Sequence, residues 1–193
     1  MKNRCDWVGN EPLYREYHDK EWGVPVYDDQ TLFEFIILEG HQAGLSWITI
    51  LKKRNNYREV FDNFDAEKIA NYGRTKVEQL MTNKGIIRNR LKIESAITNA
   101  KEYLKIKKEF NGFNKYIWQF VNGTPIINKW ELLSDIPATT PESDTMSKDL
   151  KKRGFKFVGS TICYAFMQAV GMVNDHQTDC FRYNEINRHN NSI

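Results

Sequence analysis

This 193-residue sequence predicts an all-α fold, on three observations. All five prolines stand at Pro12, Pro25, Pro125, Pro137 and Pro141, so residues 26–124 lack the residue that breaks helices. Apolar residues recur at helical spacing: Ile86, Ile93, Ile97, Ala100 and Leu104 lie 7, 4, 3 and 4 apart, with Lys and Glu on the other side. Strand-like alternation never exceeds a few residues, the one exception being residues 124–128.

Taken in order, residues 1–30 mix aromatic and polar side chains, are broken by Gly9, Pro12, Gly23 and Pro25, and resist a simple helix assignment. Thr31 with Glu34, and Thr75 with Glu78, have capping-box spacing ahead of apolar residues. Leu32, Phe33, Ile36 and Ile37 then make one helical face. The repeat from Ile86 to Leu104 is a further helix. Thr140-Pro141 reads as an N-cap with proline at the first helical position, opening a helix toward Arg153. A tight link, Gly154-Phe155-Lys156-Phe157-Val158-Gly159, leads into an apolar helix over residues 158–172. Residues 173–193 again resist assignment and end in a polar run. The expected division is one helical domain over residues 1–184 and a flexible polar tail over 185–193.

Composition narrows the class. Forty per cent hydrophobic and 27% charged residues is a globular balance, neither disordered nor membrane-embedded. The longest unbroken apolar run, from Ile162 to Met167, is six residues, too short for a bilayer. At this length folding buries roughly 70% of the extended surface, so no staple is compulsory. The first residues lack the apolar stretch of a secretory signal, and the cysteines (Cys5, Cys163, Cys180) are odd in number. A reducing cytoplasm and no disulfide framework are expected. Lys and Arg total 28 against 25 Asp and Glu, a net +3, short of a domain held mainly by nucleic-acid phosphates. Three tryptophans, Trp7, Trp22 and Trp47, fall in the first quarter beside Tyr14, Tyr17 and Tyr27. Singly each belongs in a core; clustered in a polar, loop-rich segment they do not.

Three constellations carry chemistry. Cys5 and His18 near one end, and His176 and Cys180 near the other, together suit a tetrahedral metal, zinc above all. Such a site would be closed and structural, with no position open for water. The plain alternative is buried cysteines and ordinary surface histidines. Cys163 lies in an apolar helix and reads as core. In the second constellation Glu39 follows the apolar run Phe35 to Leu38, while Gly40 and Gly44 permit close backbone approach ahead of Trp47. The plain alternative is a helix end and a loop; the chemical one is a site for a partly cationic aromatic ligand. The third is basic: Lys148, Lys151, Lys152 and Arg153 before the 154–159 link, whose glycines open a helix N-terminus to a phosphate, with Lys52-Lys53-Arg54 as a second contact. A merely solvated face is the alternative.

At these residues the chain closely resembles the 3-methyladenine DNA glycosylase I family. The matching strings are Cys5-x-Trp7, Tyr14-x-x-Tyr17-His18-Asp19-x-Glu21-Trp22-Gly23-Val24-Pro25, Leu38-Glu39-Gly40-x-Gln42-Ala43-Gly44-Leu45-Ser46-Trp47, Gly85-Ile86-Ile87-Arg88, residues 150–164 and Asn174-Asp175-His176. They run from Cys5 to Cys180, nearly the whole chain.

The resemblance implies a helix-hairpin-helix DNA glycosylase fold, the hairpin at 154–159 gripping a DNA phosphate through Lys156 and Gly159. It implies one structural zinc per chain on Cys5, His18, His176 and Cys180. It implies a base pocket of Glu39, Tyr17 and Trp47 with Trp22, Trp7 and Tyr14 nearby, Glu39 being the catalytic residue. The turn with Gly44 and Leu45 would enter alkylated double-stranded DNA where 3-methyladenine has flipped out. The expected reaction is hydrolysis of that base's glycosidic bond, giving free 3-methyladenine and an abasic site without strand cleavage. The expected enzyme is a cytoplasmic monomer that binds no membrane. A non-catalytic lesion-binding protein and a zinc hydrolase are the competing classes, and the pocket carboxylate argues against the first. Two positions sit apart from the pattern. His41 either contacts DNA or faces water. Asp175, beside His176, lies roughly where helix-hairpin-helix glycosylases of other branches place a catalytic Asp, but Glu39 is favoured and Asp175 is expected to support the metal end.

Overall fold

Eleven α-helices make up most of the described residues, 2–190, in the computed structural model: α1 (Pro12–Lys20), α2 (Asp29–Gln42), α3 (Trp47–Leu51), α4 (Arg54–Val60), α5 (Ala66–Ala70), α6 (Arg74–Thr82), α7 (Arg90–Phe110), α8 (Phe113–Trp118), α9 (Pro141–Lys152), α10 (Ser160–Ala169) and α11 (Phe181–Asn190). The alternation expected near residues 124–128 is confined to β1 (Ile126–Ile127), which pairs in parallel with β2 (Val173–Asn174). The all-α expectation therefore holds but for this one two-residue bridge.

Local chemistry explains where the helices begin, and in places corrects the sequence expectations. Residues 1–30 do contain a helix, α1, because Pro12 occupies its first turn, where a missing N–H costs nothing. The Thr31–Glu34 capping box is not formed. Asp28 is the N-cap, its carboxylate accepting from the Thr31 N–H at 2.7 Å, and Glu34 turns instead to Arg58. Thr75 likewise lies inside α6, whose N-cap is Gly73, and Glu78 accepts from Arg90 at 2.9 Å. Ile86 is buried ahead of α7, which opens at Asn89, its side chain accepting from the Lys92 N–H. The expected cap at Thr140-Pro141 is present: Thr140 and Ser143 exchange backbone and side-chain hydrogen bonds at 2.8 and 3.3 Å.

The apolar helix expected over 158–172 is the shorter α10. It stops before Gly171, which has φ +69° and lies so close to Val24 and Pro25 that a Cβ would meet the Pro25 nitrogen at 2.4 Å. Helix α11 carries the chain through the boundary expected at residue 184, with Ile186 3% exposed. Residues 191–193 of the expected tail lie outside the described residues.

Helix α2 is the centre of the core. Every residue from Leu32 to His41 is buried, and the helix packs against α3, α7, α8 and α10. Helix α7 runs beside it and also contacts α5, α6 and α8. Cys163 is core, as expected. Among the described residues no helix is long and apolar enough to cross a membrane.

Candidate active site and metal centre

A cavity of about 350 Å³ is walled by Trp7, Tyr14, Trp22, Trp47, Tyr164 and Gln168, among others. Trp7 meets Tyr14 and Trp22 edge-on, with centroids 4.9 and 5.0 Å apart. Trp47 packs against Phe35 of α2 on one contact (6.3 Å) and Tyr17 of α1 on another (5.6 Å). Its indole N–H is buried with no acceptor among the described residues. Glu39, in the last turns of α2, is 4% exposed and receives no hydrogen bond from any described residue. Burial therefore pushes its carboxyl up to about 8. The Tyr17 and Tyr14 hydroxyls are also raised, first by burial and then by the charge of Glu39, which places all three in one electrostatic environment. Of the six residues expected in the base pocket, Trp7, Tyr14, Trp22 and Trp47 line this cavity. Tyr17 and Glu39 do not line it, Tyr17 packing on Trp47 and Glu39 acting on Tyr14 and Tyr17 through its charge. Four clefts elsewhere among the described residues are larger, at about 360 to 520 Å³, but none is lined by a tryptophan.

The two cysteines and two histidines from opposite ends of the chain also meet. Their ligand atoms lie within 4.8 Å of one another and all four residues are buried. Cys5 Sγ is 3.5 Å from His176 Nδ1, and Cys180 Sγ is 3.4 Å from His18 Nε2 and 3.7 Å from His176 Nδ1. A tetrahedron with ordinary zinc–sulfur and zinc–nitrogen bonds has edges of roughly 3.3–3.8 Å, so the donor set fits such an ion. The outer nitrogens fix the tautomers. His18 Nδ1 donates to Asp19 at 2.8 Å and His176 Nε2 donates to the Trp22 carbonyl at 3.0 Å, leaving a bare lone pair on each inner nitrogen. The hydrogen bond from Cys5 holds the Cys180 thiol well below its ordinary range, while the same bond and burial raise Cys5. This cluster could hold a metal ion.

Asp175 does not play the part expected of it. Its buried carboxylate accepts from Asn128 (2.7 Å), Trp130 (2.8 Å), Tyr164 (2.6 Å) and Gln168 (2.8 Å), and touches no metal-ligand side chain. It holds two residues of the cavity wall. The carboxylate behind a ligand is Asp19, itself held by Arg4 at 2.7 and 2.8 Å and thereby lowered to about 2. Its position next to His18 in the sequence was the available signal.

On the outside, α2 ends in a turn at Ala43, Gly44 (φ +78°) and Leu45, whose side chain is 41% exposed. The hairpin lies beside α2: a Cβ on Gly40 would meet Phe157 Cβ and its carbonyl at 3.2 Å, so Gly40 serves helix–hairpin packing. Asn99 of α7 clasps the hairpin, accepting from the Lys156 N–H at 2.8 Å and donating to the Lys156 carbonyl at 3.0 Å. The Lys156 N–H is thus unavailable to a phosphate. The N–H groups of Val158, Gly159 and the first turn of α10 have no acceptor among the described residues, and the space over Gly159 is open. Lys151, Lys152 and Lys156 remain exposed.

Three expected basic contacts are spent within the protein. Arg153 pairs with Glu109 and Asp149 at 2.8 Å and lies over Phe110 and Tyr116. Arg54 makes a two-pronged pair with Glu21 at 2.6 and 2.7 Å, and Lys52 reaches Glu11. His41 neither faces water nor reaches the surface. It is 1% exposed, bonded to the Lys92 carbonyl at 2.7 Å and the Tyr57 hydroxyl at 3.0 Å, and burial lowers it to about 4.

Residues 7–183 match the family model described as methyladenine glycosylase. The DNA-3-methyladenine glycosylase 1 of Escherichia coli K12 is 54% identical over 180 residues, 93% of this chain and 96% of the relative. A crystal structure of a 3-methyladenine DNA glycosylase I superposes with a TM-score of 0.91 at 56% identity, covering 93% of this chain and 98% of the other. A variant of a 3-methyladenine DNA glycosylase I, solved in complex with 3-methyladenine, superposes with a TM-score of 0.90 at 39% identity over 93% and 96% of the two chains.

Proposed function

The chain belongs to the methyladenine glycosylase family, and from that premise we propose that it excises 3-methyladenine from alkylated duplex DNA. The observation that carries this reading is the Trp47 indole N–H, buried without an acceptor among the described residues, with the 4%-exposed Glu39 carboxyl, which makes no hydrogen bond to a described residue, in the same aromatic neighbourhood. Buried polar groups are ordinarily satisfied. Glu39 and Trp47 are therefore read as waiting for a polar aromatic ligand.

Methylation at N3 puts positive charge on adenine while it is still joined to the sugar. The Trp47 face and the Glu39 carboxylate both favour that cation over neutral adenine, the first by ~2 kcal/mol when desolvated. Glu39, raised by its burial, ionises most readily when a cation arrives beside it. Flipping the nucleotide into the cavity costs a few kcal/mol. Leu45 on the exposed turn is suited to fill the gap left behind, and the free N–H groups at the start of α10 to hold a phosphate of the strand. The bond from C1′ to the base then breaks with its electrons passing to the base, which leaves neutral. Water adds its oxygen to the sugar and releases a proton, giving an abasic site. No lysine lines the cavity among the described residues, which supports hydrolysis without strand cleavage.

Zinc is the metal that best suits two thiolates and two imidazoles at these separations. It would supply a structural link between Cys5, His18, His176 and Cys180, with all four positions filled by protein. Three buried free thiols suit a reducing cytoplasm. The reading is tested by incubating the protein with methylated duplex DNA and identifying the released base. Free 3-methyladenine with an intact, alkali-labile strand is expected. Strand breaks without alkali, or no released base, would count against it.

A further inference from the structure

The interior holds a second polar system that the cavity chemistry does not use. The Ile87 N–H donates to the Tyr57 hydroxyl oxygen at 3.1 Å, and Tyr57 meets His41 Nδ1 at 3.0 Å. His41 Nε2 meets the Lys92 carbonyl at 2.7 Å. The Lys92 ammonium then returns to donate to the carbonyls of His41 (2.9 Å) and Ala43 (2.7 Å). Donor logic orients the whole chain. A carbonyl only accepts, so His41 carries its proton on Nε2; its Nδ1 must then accept the Tyr57 proton, and the Tyr57 oxygen is left to take the Ile87 N–H. Every member is satisfied with His41 neutral. The lysine is 6% exposed, an unusual place for an ammonium, and its charge sits on the unsatisfied carbonyls at the C-terminus of α2, where a helix favours a cation.

The system joins three elements that border the Ala43-Gly44-Leu45 turn: the end of α2, the Gly85–Ile86–Ile87–Arg88 link and the start of α7. We propose that Lys92, His41 and Tyr57 are positioning residues that set this turn against the 85–88 link, so that Leu45 meets duplex DNA already in place. A pre-set turn avoids the ordering entropy a loose one would carry into the complex. Leu45 and Ile87 border a common cleft, so the relay sets both of its sides. The inference rests on the reading that the turn enters the duplex, and the test separates the two.

Release of 3-methyladenine is measured from methylated duplex and from the same methylated strand without its complement, alongside binding of free 3-methyladenine followed by tryptophan fluorescence. Lys92→Met lowers the duplex-to-single-strand rate ratio by roughly tenfold, as loss of two charge-assisted hydrogen bonds at the turn requires, with free-base binding retained. Tyr57→Phe, which removes one oxygen, shifts the ratio in the same direction by less. His41→Leu behaves as Lys92→Met, whereas His41→Gln, which keeps a donor and an acceptor, recovers most of the ratio. Leu45→Gly is the reference. If it lowers the ratio and Lys92→Met does not, the positioning inference is overturned while the turn keeps its role. An unchanged ratio in Leu45→Gly overturns the reading of the turn, and the inference with it. Equal losses on both substrates with weakened free-base binding in Lys92→Met and Tyr57→Phe indicate general loosening and also overturn it.

Discussion

At the scale of single residues, burial decides chemistry. Glu39 is placed among apolar side chains by its position in α2, and the consequence is a carboxyl that holds its proton far longer than an exposed one. The sign of the effect on stability follows. Between pH ~4.5 and ~8 the unfolded chain has lost a proton that folded Glu39 keeps, so stability falls as pH rises through that window and levels off above it. Glu39→Gln is expected to melt at least roughly 5 °C above the parent at pH 9 and level with it at pH 4, as read by thermal unfolding at each pH. An equal difference at both pH values would mean that Glu39 pays no such ionisation penalty. Glu39 was legible in the sequence because an acid directly after Phe35–Leu38 is conspicuous. His41 was not: its partner Lys92 is 51 residues away, and no local pattern signals that a buried imidazole has been satisfied from a distant helix.

At the scale of elements, the cluster of Cys5, His18, His176 and Cys180 is a joint. It ties the N-terminal segment and α1 to the segment leading into α11, and its imidazoles carry the cavity wall: Trp7 meets His18 at 5.4 Å and Trp22 meets His176 at 4.6 Å. Purified protein is expected to hold about one equivalent of zinc. Its removal, or Cys180→Ser, lowers the melting temperature and shifts tryptophan emission to the red as Trp7 and Trp22 loosen. Metal-free protein with unchanged melting and emission would refute the joint. The four ligand types could be read from the sequence; their meeting could not, because two lie at each end of the chain. Helix α1 escaped notice for a simpler reason. Pro12 breaks a helix in the interior but starts one at the first turn, and composition alone does not tell the two apart. The capping patterns at Thr31 and Thr75 misled because a better cap (Asp28) or an earlier start (Gly73) took precedence.

At the scale of the molecule, two helices organise the elements proposed to touch DNA. Helix α2 carries Glu39 inward and the Leu45 turn at its end, and packs through Gly40 on the hairpin. Helix α7 holds the turn through Lys92 and the hairpin through Asn99, seven residues on and so about 10 Å along the same helix. The modest net charge of +3 takes on meaning in this setting. Arg54 and Arg153 are spent on internal ion pairs, leaving Lys151, Lys152 and Lys156 around an uncapped helix start, which suits brief contacts during a search. That the basic run and the glycine-bounded link belong together was legible; which of its cations were free was not, since ion pairing depends on partners such as Glu109, 44 residues distant.

The central claim is that the Glu39 carboxylate, buried beside the tyrosines and tryptophans of the site, stabilises a cationic base as it leaves. The most direct measurement is single-turnover release of 3-methyladenine from methylated duplex DNA by the parent protein and by Glu39→Gln, with duplex binding measured on both. The account predicts a loss of release of roughly a hundredfold with duplex binding retained. Release at the parental rate from Glu39→Gln would contradict it.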